Sequence, residues 1–170
     1  MRHIAYIGIG SNKGNKIQQC ERAISEILKI DGHKLLATSS LYKTQPIGFT
    51  NQDWFVNGVI KIETDMEPID LLQKLKDIES RLGRKETFRW GPREMDLDIL
   101  FFDDRKIQSG ELQIPHPRLQ ERKFVLTPLA EVDRNLMHPI LRKTIGELLE
   151  NLREDQKVVK LSSLEEKEGV

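Results

Sequence analysis

The sequence predicts an α+β domain with the element order β-α-β-β-α-β, and three observations lead to that prediction. The chain has 170 residues, 38% hydrophobic and 32% charged, which suits a globular protein with its own core and excludes a membrane-embedded or disordered one. Its apolar segments alternate between short runs typical of strands and stripes at helical spacing. Stretches rich in Gly, Pro, Asn and Asp separate these segments.

The first half of the chain supplies three strands and one helix. Residues 4–9 are a short apolar run, which predicts a buried strand. The helix expected over about residues 15–30 is indicated by apolar residues at three- and four-residue steps, namely Ile17, Cys20, Ile24, Ile27 and Leu28. Second and third strands are expected over 35–42 and 55–63, with a long loop at 43–53 between them.

The second half supplies the remaining helix and strand and then an extension. Pro68 suits the first turn of a helix, whose predicted buried stripe is Ile69, Leu72, Leu75, Ile78 and Leu82. A strand over 95–102 follows, with a hairpin turn expected at 103–106 and helices near 121–131 and 144–152. This order predicts a ferredoxin-like antiparallel sheet with helices on one side and C-terminal extensions. We expect a single domain over 1–155 and a peripheral polar tail over 156–170.

Charge and cysteine content exclude several classes of function. The 27 Lys and Arg residues balance 27 Asp and Glu residues, which argues against a general nucleic-acid or anionic-membrane binder. Cys20 is the only cysteine, so neither an intrachain disulfide nor a cysteine-based zinc site can form. The apolar stretch at the N-terminus is too short for a signal peptide. We therefore expect a cytoplasmic protein, and a monomer.

An acidic pair lies on the last predicted strand. Alternate residues of a strand share a face, so Asp96 and Asp98 project together, about 7 Å apart along the backbone. The intervening apolar residues project to the other side, namely Met95, Leu97 and Ile99. Paired carboxylates suit magnesium bound to phosphate oxygens, whereas a solvated strand end is the alternative.

A basic loop precedes this acidic pair. Five cations lie within it, at Arg81, Arg84, Lys85, Arg89 and Arg93. Arginine forks match phosphate oxygens, so the neighbourhood indicates a polyphosphate site, although a solvated surface loop is the alternative. Trp90 within the loop is either a core plug or a platform for a flat ring.

Two other motifs carry less weight. The glycines from Gly8 to Gly14 open a helix after a strand, but their spacing matches neither a dinucleotide fingerprint nor a P-loop. A tight turn accounts for them better. His116, between two prolines, suits either a phosphate contact or packing within a turn.

From Arg89 to Leu100 the sequence reads Arg-Trp-Gly-Pro-Arg-Glu-Met-Asp-Leu-Asp-Ile-Leu, and it resembles the signature of the 6-hydroxymethyl-7,8-dihydropterin pyrophosphokinases of folate biosynthesis. Similarity extends in the same order over about residues 4–130, including the segments 42–48, 55–57 and 115–124. The resemblance implies transfer of a pyrophosphoryl group from ATP to the pterin hydroxymethyl oxygen, with release of AMP. It thus implies an ATP-dependent diphosphokinase.

The resemblance also implies a role for individual residues. Asp96 and Asp98 would ligate two Mg²⁺ ions and, with Arg84 and Arg93, form the catalytic group. The implied ATP contacts are Leu72, Glu79, Arg84, Trp90, Arg93, Ile99, Leu112, His116 and Arg122. The implied pterin contacts are Thr44, Gln45, Pro46, Ile47, Phe55, Asn57, Trp90 and Phe124. Closure of the loops at 43–53 and 83–93 over the substrates is a further hypothesis.

Two other functional classes fit the element order less well. RNA-recognition domains share it, but residues 55–63 lack their basic and aromatic core. Two-metal nucleotidyltransferases place a Gly-Ser pair about a dozen residues before the acids, whereas Gly10 and Ser11 lie some 85 residues upstream.

Overall fold

The computed structural model describes residues 2–45, 54–83, 95–153 and 156–161. The strands are β1 (His3–Ser11), β2 (Lys34–Thr38), β3 (Tyr42–Thr44), β4 (Phe55–Thr64), β5 (Asp96–Phe102), β6 (Ile107–Ser109), β7 (Leu112–Ile114) and β8 (Val158–Lys160). The helices are α1 (Lys16–Leu28), α2 (Pro68–Gly83), α3 (Lys123–Asp133) and α4 (Ile145–Asn151), with a 3₁₀ turn at Leu119–Glu121. None of the helices in the described ranges is long and apolar enough to cross a membrane.

Six strands form one antiparallel sheet, in the order β5-β1-β4-β3-β8 with β2 paired to β4. The sheet confirms the predicted fold, but the single strand expected over 35–42 is divided. β2 pairs with one half of β4, and β3 pairs with the other half. Ser39 lies at the division, where its hydroxyl accepts the Val59 N–H that would otherwise be available to a neighbouring strand.

The two faces of the sheet carry separate cores. On the first face, α1 and α2 pack against Ala5, Ile7 and Ile9 of β1. On the second face, α3 and α4 pack against Tyr6, which alternates with Ala5 and Ile7 along β1, and against Leu100 and Phe101 of β5. A register shift between β1 and β5 at Tyr6/Ile7 accommodates these two consecutive residues on one face. The C-terminal extensions therefore cover the face opposite α1 and α2.

Helix α2 begins at Pro68 as predicted, but its buried stripe is rotated relative to the expected one. Ile69 is 47% exposed, whereas Leu71 is fully buried and joins Leu75 and Ile78 in the core. The prediction for Ile69 is wrong because the helix offers a second stripe at four- and three-residue steps, formed by Leu71, Leu75 and Ile78, and this stripe is the one that is buried.

The C-terminal region differs from the prediction in two ways. The turn at 103–106 does not return the chain along β5, since β6 pairs with β7 in a separate hairpin. Residues 156–161 are not a peripheral tail, because β8 pairs with β3 and Leu161 joins the first core. The sheet thus continues beyond the domain boundary predicted at 155, while residues 162–170 lie outside the described part of the chain.

Candidate functional site

A cavity of about 520 Å³ opens on the second face of the sheet. Its base is formed by β1, β4 and β5, and its sides by the end of β3, the start of α3 and the segment before β8. The residues that line it are Gly8, Ile9, Gly10, Thr44, Gln45, Phe55, Asn57, Gly58, Val59, Asp96, Asp98, Leu100, Arg118, Glu121, Arg122, Phe124, Val125 and Gln156.

Asp96 and Asp98 both line this cavity and are exposed. The apolar residues that alternate with them are buried, as the strand pattern predicts: Met95, Leu97 and Ile99. Across the sheet, Gly10 pairs with Asp96 and Gly8 pairs with Asp98. Cβ atoms of directly paired residues lie about 5 Å apart, so a side chain at either glycine would occupy space beside its paired aspartate, and glycine keeps the base of the cavity open there.

The oxygen ligands that Asp96 and Asp98 offer suit a hard divalent cation. Magnesium prefers oxygen ligands and is usually held by one or two carboxylates together with water and substrate phosphates. Within the described ranges no group of three or more His, Cys, Asp or Glu side chains could hold a metal. Two neighbouring carboxylates are the number that usually holds magnesium together with water and phosphate oxygens.

A polar wall lies on the β3–β4 side. The Thr44 hydroxyl donates to Asn57 Oδ1 at 2.6 Å, which orients the amide and leaves Nδ2 on its other side. A Cβ atom at Gly10 would lie 2.7 Å from this Nδ2, so any side chain at Gly10 would displace the Asn57 amide. Phe55 lines the cavity beside this pair and supplies an aromatic surface.

The start of α3 forms the opposite wall. The Arg122 guanidinium lies 5.7 Å from the centre of the Phe124 ring, within range of a cation–π interaction. Both residues line the cavity, and the positive end of the α3 dipole lies beside them. This wall therefore combines a flat ring with positive charge, which suits a heterocycle and an anionic group.

Three residues of the lining with polar or charged side chains were not predicted as site residues. Arg118 precedes the 3₁₀ turn and Glu121 is its last residue, and Arg118 Nε lies 3.3 Å from Glu121 Oε2. Gln156 belongs to the segment that was expected to be a tail. Arg118 had a signal in the sequence, since it follows His116 and Pro117 directly, whereas Gln156 had none.

Several residues predicted to contact ATP lie away from this cavity. Ile99 and Leu112 belong to the first core, with Leu72 packed against it, and the Glu79 carboxylate accepts the Leu97 N–H at 2.7 Å. They lie on the α2 side of β5, so their contact with a nucleoside remains a prediction.

His116 lies close to β5 but is not part of the cavity lining. Its backbone N–H donates to the Leu100 carbonyl at 3.1 Å. Burial lowers the pKa of the His116 imidazole, and the charge of Arg122 lowers it further. Without a bound anion, these surroundings favour the neutral imidazole, which can donate or accept a hydrogen bond.

The other predicted site residues lie outside the described ranges. They are Pro46, Ile47, Arg84, Trp90 and Arg93. The two interpretations of Trp90 and the predicted closure of the loops also fall there.

Comparisons with known proteins agree on one family. Residues 6–134 match the family model described as 7,8-dihydro-6-hydroxymethylpterin-pyrophosphokinase. A protein of Aquifex aeolicus, 2-amino-4-hydroxy-6-hydroxymethyldihydropteridine pyrophosphokinase, is 43% identical over 145 residues, which cover 84% of this chain and 88% of that protein. The Bacillus subtilis protein of the same name is 42% identical over 132 residues, covering 78% and 79%.

Longer proteins contain a similar segment. The folic acid synthesis protein fol1 of Schizosaccharomyces pombe is 45% identical over 149 residues, which cover 88% of this chain but 20% of the fungal protein. A crystal structure of a Plasmodium falciparum HPPK-DHPS triple mutant superposes with a TM-score of 0.72 at 19% identity, over 88% of this chain and 44% of that one. That likeness supports the fold described above.

Proposed function

The chain belongs to the 7,8-dihydro-6-hydroxymethylpterin-pyrophosphokinase family, and we propose that the cavity on the second face of its sheet is where it carries out the family's reaction. In this reaction the bond between the α- and β-phosphates of ATP breaks. A new bond joins the β-phosphorus to the hydroxymethyl oxygen of 6-hydroxymethyl-7,8-dihydropterin, and AMP is released. The family match confirms the enzyme class that the sequence resemblance implied.

One observation supports the cavity as the reaction site above the others. Two exposed carboxylates, a polar amide wall and an aromatic-cationic wall all line the same space. Each corresponds to a different part of the two substrates. The triphosphate requires metal and cations, whereas the pterin ring requires a flat surface and a hydrogen-bonding edge.

At the phosphate end, Asp96 and Asp98 would hold two Mg²⁺ ions against the triphosphate. Bound magnesium neutralises phosphate charge and polarises the phosphoryl oxygens. Arg122 supplies a further positive charge on the opposite wall. The protein's own contribution at this end is to orient the phosphates and to balance their charge.

At the pterin end, the ring would lie between the Phe55 and Phe124 surfaces. Asn57 would meet its edge, because the bond from Thr44 fixes which side of the amide is the oxygen and which is the nitrogen. Attack by an alcohol on phosphorus depends mainly on positioning and charge neutralisation. A wall that fixes the hydroxymethyl oxygen near the phosphates therefore accounts for much of the catalysis.

The deciding experiment identifies the nucleotide product. The protein is incubated with ATP, Mg²⁺ and 6-hydroxymethyl-7,8-dihydropterin, and the nucleotides are separated by ion-exchange chromatography. We expect AMP in amounts equal to the pterin diphosphate, and no AMP when EDTA is present. ADP as the product would indicate ordinary phosphoryl transfer and would contradict the proposal.

Monomeric state, cytoplasmic location and lack of nucleic-acid binding remain predictions from composition. The number of metal ions is part of the proposal, and a titration of activity against free Mg²⁺ tests it. We expect a second, weaker phase of activation once the ATP is saturated with the first ion.

A further inference from the structure

Gln156 is a polar residue buried in a wall of the cavity. Its exposed fraction is 6%, and it lies two residues before the start of β8. It reaches the cavity because β8 pairs with β3, which brings the C-terminal segment beside Thr44 and Gln45. A glutamine is usually exposed, so its burial at this position calls for a physical reason.

Three hydrogen bonds connect this segment to Gln45. The Gln156 Nε2 group donates to the Gln45 carbonyl. The Gln45 N–H donates to the Lys157 carbonyl at 3.0 Å, and the Lys157 N–H donates to Gln45 Oε1 at 3.3 Å. The backbone and side chain of Gln45 are thus both held from one side.

The contact with the Gln45 carbonyl also fixes the orientation of the Gln156 amide. A carbonyl only accepts hydrogen bonds, so the amide nitrogen has to face it and the amide oxygen has to face away. This Gln156 oxygen is buried and finds no hydrogen-bond donor among the described residues. Among these residues the buried oxygen therefore offsets part of what the hydrogen bond to Gln45 contributes to stability.

The contacts continue from Gln45 into the polar wall. Gln45 follows Thr44 in the chain, and the Thr44 hydroxyl holds the Asn57 amide. All four residues line the same cavity: Thr44, Gln45, Asn57 and Gln156. A displacement of Gln45 would therefore move Thr44 and change the direction of the Asn57 amide.

We propose that Gln156 is a positioning residue for the pterin: by clamping the Gln45 backbone, it holds Thr44 and Asn57 where the pterin edge binds. This inference rests on the proposed function, because it assigns the β3–β4 wall to the pterin. It makes the segment 156–161 part of the site. Its effect is confined to one substrate, since Asp96 and Asp98 lie at the other end of the base.

The test is the Gln156→Leu variant, which keeps a similar volume but loses the donor to Gln45. We expect the KM for the pterin to rise about 10-fold, because the variant loses one buried hydrogen bond that holds the pterin wall. The KM for ATP and kcat should stay within about twofold, because the phosphate end is untouched. Gln156→Glu should raise the pterin KM further, since it places a carboxylate against the Gln45 carbonyl.

Val159→Ala is the matched control, because Val159 lies three residues after Gln156 on β8, is about half exposed and is not among the residues that line the cavity. It should keep both KM values. A Gln156→Leu enzyme with the wild-type pterin KM, or with equal rises in both KM values, would overturn the inference. Failure of the wild-type protein to form AMP would instead reject the proposed function, so the two failures are distinguishable.

Discussion

The two faces of the sheet are built from alternate residues of the same strands but differ in composition. The first face, which α1 and α2 cover, is almost entirely aliphatic. The second face carries glycines, carboxylates and an amide around the cavity, together with two tyrosines that donate hydrogen bonds to carboxylates of α3. Strand β1 alone shows the contrast, because Ala5, Ile7 and Ile9 face one core while Tyr6, Gly8 and Gly10 face the other side.

The difference shows how one sheet separates stability from chemistry. Burial of aliphatic side chains stabilises the first face, so its residues tolerate little polarity. The cavity on the second face has room at its base because Gly8 and Gly10 carry no side chains there. The comparison predicts that substitutions on the first face change mainly the free energy of unfolding, whereas those at the cavity change mainly activity.

The largest expected effect is on the cavity side, with Asp98→Asn. Removing one negative charge from the proposed metal site should lower kcat by about 10³-fold. The free energy of unfolding should change by less than about 1 kcal/mol, because the side chain is exposed. Steady-state assays and urea denaturation measure the two quantities.

Asp104→Asn is the matched control for this substitution, since Asp104 is also exposed and lies just beyond the other end of β5. It should behave as the wild type in both measurements. If Asp98→Asn kept near-normal turnover, the assignment of the acidic pair to metal would be wrong.

Ile27→Ala tests the first face. Ile27 of α1 is fully buried, and its truncation should lower the free energy of unfolding by about 2–5 kcal/mol through lost burial and a residual cavity. Below the unfolding transition, kcat and both KM values should stay within about twofold of wild type. Leu36→Ala, at a leucine that is 40% exposed on β2, should change the stability by about 0.5 kcal/mol at most. A large loss of turnover in folded Ile27→Ala would show that the two faces are coupled.

Most of the fold and the position of the acidic pair were predictable because strand and helix periods are strict. Alternation along residues 95–102 places both aspartates on one face, whatever lies around them. The cation–ring pair of Arg122 and Phe124 required the family resemblance, since nothing in the local pattern distinguishes it. Contacts of these residues with ATP and pterin remain predictions.

The features that were missed depend on partners distant in the sequence. β8 is only three residues long, and it forms a strand by pairing with β3, where Lys160 lies opposite Tyr42. No local sequence pattern encodes that pairing. Gln156 enters the cavity through that pairing. The division of 35–42 likewise depends on Val59, because the backbone of β4 gives Ser39 its partners.

The smallest predicted effect concerns the contact between Tyr42 and Glu131 on the second face, with Tyr42→Phe. The Tyr42 hydroxyl donates to Glu131 of α3 at 2.5 Å, and the Ser40 N–H and hydroxyl also donate to this carboxylate. Burial alone would raise the pKa of Glu131, but these hydrogen bonds outweigh it and leave the pKa below its ordinary value. The folded state therefore favours the ionised carboxylate.

A lowered pKa in the folded state fixes the sign of the pH dependence. The stabilisation is fully present above the unfolded pKa of about 4.3 and is lost as the pH falls through the lower folded value. Tyr42→Phe should lower the free energy of unfolding by about 1 kcal/mol at pH 7 and lose less stability than wild type on acidification below about pH 4.3. Glu131→Gln, which has no carboxylate to titrate, should lose less still. Urea denaturation at pH 7, 5 and 3.5 measures the free energy of unfolding of the three proteins against pH. Parallel curves for wild type and Tyr42→Phe would show that packing, and not the charge of Glu131, stabilises this contact.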